Sequence, residues 1–554
     1  MIRKLKYLIP VVLLIISCKK QLDINTDPYN PSTVSIPKLL PAVQLNLGVN
    51  LATSSGISQV LEVYMHRLVV REDPNGYLAT GIDFNIINSW SGMYKSFANM
   101  DFIIQEGTTQ GNLKYVGIAQ VLKAYGYSQM VDIYGDIPYS EANKLVNGGV
   151  LNAKFDKGSE IYPQLITLLD NGIANLNAPA ANLLVPGTDD VIYKGNIAKW
   201  VKAANTIKLK LLLQQRLIKN VAADVNALIT ANNLISKTDE SFLLPFGPNG
   251  ATDDRNPGFG DYFAPQRSQY QSPWFYEILK GYNPNIYTGI VDPRVPYYFY
   301  NQLSVTTATP NPTEYRDDTF LSIYFGSTGP NAGQSQQNYM TVFGIYPVGG
   351  RYDDGGAQVV SSASGTGAAP YRFITYADVL YMKAELMKTG VIAGDAKATL
   401  SAAIQESFKQ VDYVITTYVK PTQTVPAVSG TTAATDYLNL VLLAYDTNPN
   451  QQLESIMTQK WISSYGSAVD AYTDYRRTGF PVLFDPSNPA MAPGGKAQPP
   501  VNGNPFLALQ PAVDVKVSKK YPLSIPWSST EISTNGSAPA QKTDPSTYKP
   551  FWLP

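Results

Sequence analysis

The chain has 554 residues, 44% of them hydrophobic and 16% charged, and its formal net charge is zero. This hydrophobic share excludes a disordered chain, and the sequence has no basic stripe of the kind that nucleic-acid binding needs. A single histidine and a single cysteine exclude a zinc site built from a His/Cys cluster and an intrachain disulfide framework.

The N-terminal residues have the pattern of a lipoprotein signal. Three basic residues precede an apolar run at 7–16, which is too short to span a bilayer and suits the hydrophobic region of a signal peptide. Ser17 and Cys18 follow, so we expect cleavage before Cys18 and acylation of its thiol. A buried free cysteine and a short anchor helix are the alternatives. We therefore predict a signal peptide at 1–17 and an acylated, proline-rich tether at 18–38.

Apolar residues recur at spacings of three and four along much of the remaining chain, which predicts amphipathic helices. We predict helices at 39–68 with a break near 53–56, at 85–105, 119–134 and 160–176, from the Asn196 cap through 212, and at 375–390, 395–411, 452–466 and 467–479. They come in pairs with loops of varied length, which suggests helix–turn–helix repeats. In the densest stretch, 119–142, Gly135 stops the helix and Pro138 prevents it from resuming. We assign the tyrosines of this stretch to packing.

Residues 241–370 differ from the helical segments in composition. Gly, Pro, Asn, Tyr and paired acidic residues dominate, which predicts an irregular lobe with short helices and strands, and long structured loops are common places for binding sites. The segment 481–554 is rich in proline and predicted to be mostly irregular. We therefore predict a single body over 39–554, with a helical framework at 39–240 and 371–480 around the lobe.

Eight stretches spread over the chain follow one another in a recognisable order. They are QLDINTDPYNPS after Cys18, WSGMYKSFANMDFII (90–104), AQVLKAYGYSQMVDIYGDIPYSEA (119–142), YKGNIAKWVKAANTIKLKLLL (193–213), VDPRVPYYF (291–299), YRFITYADVLYMKAEL (371–386), IMTQKWISSYGSAVDAYTDYRRTGFPVL (456–483) and KKYPLSIPWSSTE (519–531). Together they resemble the SusD/RagB family of outer-membrane nutrient-binding lipoproteins. The resemblance implies a mainly α fold with about four tetratricopeptide-like helix pairs that support a large loop-rich ligand-binding lobe.

The same resemblance implies a non-catalytic protein, anchored in the outer membrane through Cys18 and facing the cell exterior. Such a protein captures a glycan or a peptide and delivers it to a TonB-dependent transporter barrel of the SusC/RagA type. Lys19 and Lys20 depart from the family pattern, because surface-exported members often have acidic residues directly after the cysteine. A secreted carboxylate-dependent glycoside hydrolase and a purely structural helical-repeat scaffold are the alternatives.

Sugar binding needs flat aromatic faces, with Asn, Asp, Arg and Gln for the hydroxyl groups. Trp274 is the first candidate, because it lies in the predicted lobe while the other tryptophans lie in predicted framework helices or in the tail. Burial of one aromatic face, about half of a ~200 Å² side chain, contributes about 2 kcal/mol at 25 cal/mol/Å². The alternative for Trp274, and for every other aromatic candidate, is packing in the lobe's own core.

Other candidate ligand-binding residues surround Trp274 or lie in further loops. In the lobe they are Tyr270, Tyr276, Tyr282, Tyr287, Tyr346 and Tyr352, with Arg351 and Asp353 as polar partners. The resemblance adds an opposite wall, since the family's sites often use the loop that here contains Arg71, Asp73, Asn75 and Tyr77.

We expect no cofactor and no catalytic residue. Three acidic pairs, Asp253-Asp254, Asp317-Asp318 and Asp353-Asp354, could bind a structural calcium ion through their oxygens. They lack the spacing of a known calcium loop, so solvated turns are the preferred interpretation. The lone His66 is interpreted as a hydrogen-bonded structural residue.

Overall fold

The computed structural model describes residues 34–77, 83–144, 149–179, 184–247, 253–306, 314–331, 333, 338–499, 506 and 510–554. The predicted signal peptide, Cys18 and the tether up to residue 33 lie outside these ranges. No helix within them is both long and apolar enough to cross a membrane.

Seven helices form the first part of the framework. They are α1 (Ile36–Leu51), α2 (Ser58–Tyr64), α3 (Phe84–Thr109), α4 (Leu113–Tyr134), α5 (Gly158–Asn177), α6 (Ile197–Gln214) and α7 (Ala222–Thr230). The predicted break near 53–56 separates α1 from α2. Asn196 caps α6 as predicted, because its side chain accepts a hydrogen bond from the Lys199 backbone N–H at 3.1 Å.

Helix α4 lies at the centre of this part and is buried nearly all round, which is the pattern of a core helix. It packs against α3 and α5. A Cβ atom at Gly117 would come within 2.8 Å of the Gly172 carbonyl oxygen of α5, so only glycine permits this approach. Tyr127 stacks on Phe97 of α3 with ring centres 3.7 Å apart. The tyrosines of the 119–142 stretch thus pack inside the framework, as expected from the sequence.

Residues 241–370 contain short elements joined by long loops. The helices are α8 (Pro257–Phe263), α9 (Pro273–Leu279), α10 (Val295–Tyr298) and α11 (Ile345–Val348). The strands up to this point of the chain are β1 (Leu68–Val70), β2 (Ile137–Pro138), β3 (Phe155–Asp156), β4 (Phe242–Leu244), β5 (Gln269–Gln271), β6 (Phe299–Tyr300), β7 (Tyr315–Asp317), β8 (Phe320–Ser322) and β9 (Val342–Phe343). Each sheet in the described residues is an antiparallel pair of strands.

The second part of the framework resumes with β10 (Tyr371–Ile374), which pairs with β4. The helices that follow are α12 (Tyr376–Lys388), α13 (Ala396–Tyr413), α14 (Thr432–Thr447), α15 (Gln452–Ser463) and α16 (Ala468–Thr478). Helix α14 was not predicted. Only a narrow stripe of its side chains is buried, and its exposed leucines mask the amphipathic pattern.

The C-terminal segment is mostly irregular, as predicted, with β11 (Lys496–Ala497), β12 (Val513–Asp514) and α17 (Ser529–Thr534) as its regular elements in the described residues. It returns to the framework, where the indole of the fully buried Trp552 donates a hydrogen bond to Asp132 of α4 at 3.0 Å. One continuous hydrophobic core joins framework, lobe and tail. The fold is therefore mainly α, with helix pairs around a loop-rich lobe, which confirms the predicted fold class.

Candidate functional site

The framework positions the helix that contains Trp274. Strand β1, which directly follows Arg67, pairs with β5 of the lobe, and the Ser272 backbone N–H donates to the Arg67 carbonyl oxygen at 3.0 Å. Helix α9 begins at the next residue. Arg67 is itself fully buried and its guanidinium donates to Glu62 and to the Trp461 carbonyl oxygen, so the start of α9 is attached to a rigid part of the framework.

The two faces of α9 have different roles. Phe275 points into the core, where its ring lies 4.8 Å from both Trp461 and Tyr465, measured between ring centres. Trp274 and Glu277 are three residues apart and therefore share one side of the helix. Both are half-buried and both line a cavity. The buried face holds the helix in place, and the other face presents an aromatic ring and a carboxyl group.

This cavity, here called the Trp274 cavity, has a volume of about 330 Å³. That size is within the range of small-molecule sites. Its wall is mainly apolar and aromatic, with a few polar groups. The aromatic members are Trp274, Tyr282, Tyr324, Phe325 and Phe484, and the polar ones include Glu277, Asn285 and Gln498. Aromatic faces with few polar groups are the combination that sugar binding requires.

Hydrogen bonds hold the aromatic rings of the cavity in place. The Trp274 indole Nε1 donates to the Val482 carbonyl oxygen at 3.1 Å, and its ring lies 5.6 Å from that of Phe484. The Tyr282 hydroxyl donates to Asp317 Oδ2 at 3.1 Å. Because these rings are positioned before any ligand arrives, binding would require little ordering of side chains.

Glu277 is the one charged side chain in the described wall. Burial raises the pKa of its carboxyl group to about 7, a hydrogen bond from Tyr315 acts in the opposite direction, and the negative charge of Asp317 raises it further. Asp317 accepts hydrogen bonds from the hydroxyl groups of Tyr276, at 2.7 Å, and Tyr282. One carboxyl group, Glu277, thus lies in the cavity wall, and a second, Asp317, is buried close to it.

Four of the sequence-predicted tyrosines lie in the core rather than in the cavity wall. Tyr270, Tyr276, Tyr287 and Tyr346 are each less than 5% exposed. Tyr276 stacks on Phe320 with ring centres 3.7 Å apart, and the Tyr287 hydroxyl donates to the Ser455 carbonyl oxygen at 3.0 Å. Their burial indicates a packing role at the Trp274 cavity, and ligand contact by these four residues stays a prediction. The sequence alone cannot separate the two roles, because all four lie in the same aromatic-rich region as Trp274.

Arg351, Tyr352 and Asp353 form a patch of their own outside the described wall of the Trp274 cavity. The Arg351 guanidinium donates to Gln358 at 3.1 Å, and the Tyr352 ring lies 4.9 Å from that of Tyr297. Asp353 accepts a hydrogen bond from the Asn301 side chain at 2.7 Å. All three side chains are half-buried and already have partners in the fold.

One residue of the early loop, Tyr77, lines a neighbouring cavity. Arg71 pairs with Glu72, Asp73 is exposed in a turn, and the Asn75 carbonyl oxygen accepts a hydrogen bond from Ser518 at 2.8 Å. Tyr77 lines the second cavity, of about 420 Å³, together with Tyr475, Tyr521, Lys519 and Lys520. Phe484 lines both cavities. Phe484 is therefore shared by the cavity that contains Trp274 and the cavity that Tyr77 lines.

Several wall residues were not predicted from the sequence. Glu277 could have been found, because its spacing of three from Trp274 places it on the same helical face. Phe484, Met491 and Gln498 belong to the C-terminal segment, and no local pattern indicates that this segment folds back onto the lobe.

The remaining polar candidates are occupied by contacts within the chain. His66 is fully buried, its ring centre lies 4.1 Å from that of Phe325, and burial lowers its pKa to about 3, which fits a structural residue. Among the acidic pairs, Asp253 forms an ion pair with Arg255 at 2.5 Å and Asp354 accepts from Gln423 at 2.7 Å. No group of three or more His, Cys, Asp or Glu in the described ranges could hold a metal ion. Calcium binding stays an untested hypothesis.

Comparison with known proteins identifies the family. A family model named SusD-like_2, described as "starch-binding associating with outer membrane", matches residues 28–500. No curated protein matches the chain.

Solved structures share the fold at low sequence identity. A SusD/RagB family protein from Bacteroides thetaiotaomicron is 21% identical, with a TM-score of 0.64 over 91% of this chain and 95% of that one. A SusD homologue from Bacteroides fragilis is 19% identical, with a TM-score of 0.61 over 91% and 94% of the two chains. A chitin-binding protein is 17% identical, with a TM-score of 0.64 over 94% and 100%. Since the family model covers most of its length, the chain belongs to the SusD/RagB family of nutrient-binding proteins associated with the outer membrane.

Proposed function

We propose that the protein is a non-catalytic, lipid-anchored binding protein that captures a glycan in the Trp274 cavity and delivers it to a SusC-like TonB-dependent transporter. The cavity is the observation that supports this most directly. It combines two positioned, half-buried aromatic rings, Trp274 and Tyr282, with a small number of polar groups. Two such platforms yield modest affinity once the entropy of association is subtracted, and modest affinity suits a protein that must release its cargo.

The composition of the wall favours binding over hydrolysis. Most glycoside hydrolases use two carboxyl groups that flank the scissile bond. The described wall supplies one, from Glu277, while the nearby Asp317 is only 1% exposed and accepts two tyrosine hydroxyl groups. A sustained turnover of glycans that is lost in Glu277→Gln would overturn the non-catalytic assignment.

The direct test is binding of a panel of polysaccharides and peptides to the wild type and to Trp274→Ala. We expect at least one polysaccharide to bind, and the variant to lose about five- to thirtyfold in affinity, because removal of one buried aromatic face costs up to about 2 kcal/mol. The melting temperature should fall only modestly, because the ring is half-buried and the loss is limited to its hydrogen bond to Val482 and its contact with Phe484. Isothermal titration calorimetry measures the affinity.

Tyr352→Ala is the matched control. It also removes a half-buried aromatic ring, but from the separate patch with Arg351, so its affinity should stay within twofold of the wild type. If both variants lose affinity equally, or if Trp274→Ala binds as tightly as the wild type, the Trp274 cavity is not the ligand site. If peptides bind and no polysaccharide does, the ligand of this protein is a peptide and not a glycan.

The anchor and the transporter are tested in membranes. Wild-type protein should co-purify with a large β-barrel protein from gently solubilised outer membranes, and Cys18→Ser should be released into the soluble fraction, because one cysteine supplies the only acylation site. Persistent absence of a barrel partner would contradict the delivery role without affecting the binding role.

A further inference from the structure

Glu277 is a carboxyl group in an aromatic wall with no cation beside it. It is the one charged residue in the described wall of the Trp274 cavity, and the charged group that acts on its pKa is a second carboxylate, Asp317, and not a Lys or Arg. Most of the other residues in this wall are apolar or aromatic, so the half-buried carboxylate has few polar groups to stabilise its charge. A buried charge without a partner is costly, and proteins usually supply one.

The groups that face Glu277 make its surroundings negative. Tyr315 of β7 gives it a hydrogen bond, and Asp317 of the same strand adds a second negative charge. Arg316 lies between them and therefore on the other face of the strand. Its guanidinium donates to the carbonyl oxygens of Asp318, at 3.0 Å, and Ser304, at 3.2 Å.

The nearest basic residue on α9 does not compensate this charge. Lys280 follows the helix, and its Nζ lies 5.9 Å from the centre of the Tyr276 ring, outside the described cavity wall. Tyr324 of the wall is a neutral phenol at neutral pH, and burial and the negative charge of Glu277 raise its pKa further, so it adds no positive charge. The cavity thus has the electrostatic character of a cation site with aromatic walls.

We propose that Glu277 recognises an ammonium group on the bound saccharide, so that the Trp274 cavity selects amine-bearing sugars, the hexosamines without an N-acetyl group. An ammonium group supplies the missing positive charge and donates charge-assisted hydrogen bonds to the carboxylate. The faces of Trp274 and Tyr282 attract the same cation through their ring quadrupoles. This inference rests on the proposed function, glycan capture in this cavity.

The test compares three β-1,4-linked hexamers that differ only at carbon 2: glucosamine, N-acetylglucosamine and glucose. Calorimetric titrations at low salt and near pH 7, where about half of Glu277 is ionised before the ammonium group arrives, should give the wild type about tenfold higher affinity for the glucosamine hexamer than for the glucose hexamer. The N-acetylglucosamine hexamer controls for the bulk and the nitrogen atom, and it should bind like glucose. The advantage of the glucosamine hexamer should shrink in 0.5 M salt, because an ionic contact is screened.

Glu277→Gln keeps the shape of the side chain and can still accept the Tyr315 hydrogen bond. It should reduce the preference for the glucosamine hexamer over the glucose hexamer to within twofold. Glu277→Asp, which keeps the charge one methylene further back, should retain part of the preference. Glu160→Gln removes an exposed carboxylate from the framework helix α5 and should leave the preference intact.

Equal affinity of the wild type for the three hexamers overturns the inference. A preference for the glucosamine hexamer that survives in Glu277→Gln also overturns it. If this variant loses affinity equally for the charged and the neutral hexamers, Glu277 has a structural role only, and the inference is again overturned. A lysine hexapeptide that binds more tightly than the glucosamine hexamer would assign the carboxylate to a peptide ligand and overturn the sugar assignment.

The inference and the proposed function fail in different ways. If a neutral polysaccharide of the wider panel binds and depends on Trp274 while the glucosamine hexamer has no advantage, the inference is overturned and glycan capture stands. If no saccharide of either set binds, both are overturned.

Discussion

The framework network around Arg477 and the lobe wall around Glu277 differ in how they neutralise buried charges. In the framework, Arg477 contacts Glu385 and lies 2.6 Å from Asp474, and Lys210 lies 3.0 Å from Asp470, so each charge has an opposite charge from the chain. In the lobe, Glu277 has a tyrosine hydroxyl and a second carboxylate beside it. At Glu277 the chain supplies no such opposite charge, and the carboxyl group lines a cavity in which a ligand can supply it.

Breaking a framework pair should have the largest effect. Arg477→Leu leaves the fully buried Glu385 and the nearly buried Asp474 with one cation fewer. We expect a loss of about 3 kcal/mol in the free energy of unfolding. This is the lower end for a broken buried pair, because Glu385 keeps Arg216 and Asp474 keeps Lys460. Urea denaturation monitored by circular dichroism measures it.

An exposed ion pair provides the matched control. Lys397 and Asp446 lie 2.5 Å apart, but their side chains are 41% and 50% exposed. Lys397→Leu should therefore cost less than 1 kcal/mol. If Arg477→Leu costs no more than this control, the buried network does not stabilise the framework, and the contrast with Glu277 loses its basis.

The sequence predicts the framework well because its signals are local. The period of apolar residues gives most helices to within a few residues, and caps such as Asn196 and Gly135 mark their ends. Helix α14 shows the limit of this approach. Its buried residues Ala434, Tyr437, Val441 and Tyr445 have helical spacing, but exposed leucines between them hide the stripe.

The cavity could be predicted only in part, because its wall comes from distant segments. Trp274 and Tyr282 were identified by residue type and by their place in a loop-rich region. Phe484 reaches the wall only because the chain folds back after α16, a long-range contact with no local signature. The same aromatic composition also predicted Tyr276 and Tyr287 as ligand contacts, since a packed tyrosine and a binding tyrosine look alike in a sequence.

Removing a helix cap should have a smaller effect than breaking the buried pair. Asn196→Ala deletes the side-chain oxygen that accepts the Lys199 N–H, and we expect a loss of about 1 kcal/mol in the free energy of unfolding. Ser35→Ala is the control, because Ser35 occupies the same position before α1 without a side-chain cap hydrogen bond. It should change stability by less than about 0.5 kcal/mol. Equal losses in the two variants would mean that the cap hydrogen bond contributes nothing measurable.

The prediction with the smallest effect concerns Glu277 in the lobe. It compares the stability of Glu277→Gln with that of the wild type at two pH values. Because burial raises the pKa of Glu277 to about 7, the folded state holds this proton more tightly than the unfolded chain, where the carboxyl group titrates near its ordinary value of 4.5. The cost of ionising Glu277 in the fold is therefore absent below about pH 4.5 and grows until the pH exceeds 7. Glu277→Gln removes this cost. Without ligand, its stability relative to the wild type should rise by about 0.5–1 kcal/mol between pH 5 and pH 8, after allowance for solvent screening.

Other titrating groups, including His66, affect both proteins equally and cancel in the difference. Urea titrations at the two pH values measure it, with Glu160→Gln as the control that should show no such trend. A pH-independent difference would mean that Glu277 has a charged partner in the fold, and the electrostatic contrast between lobe and framework would disappear.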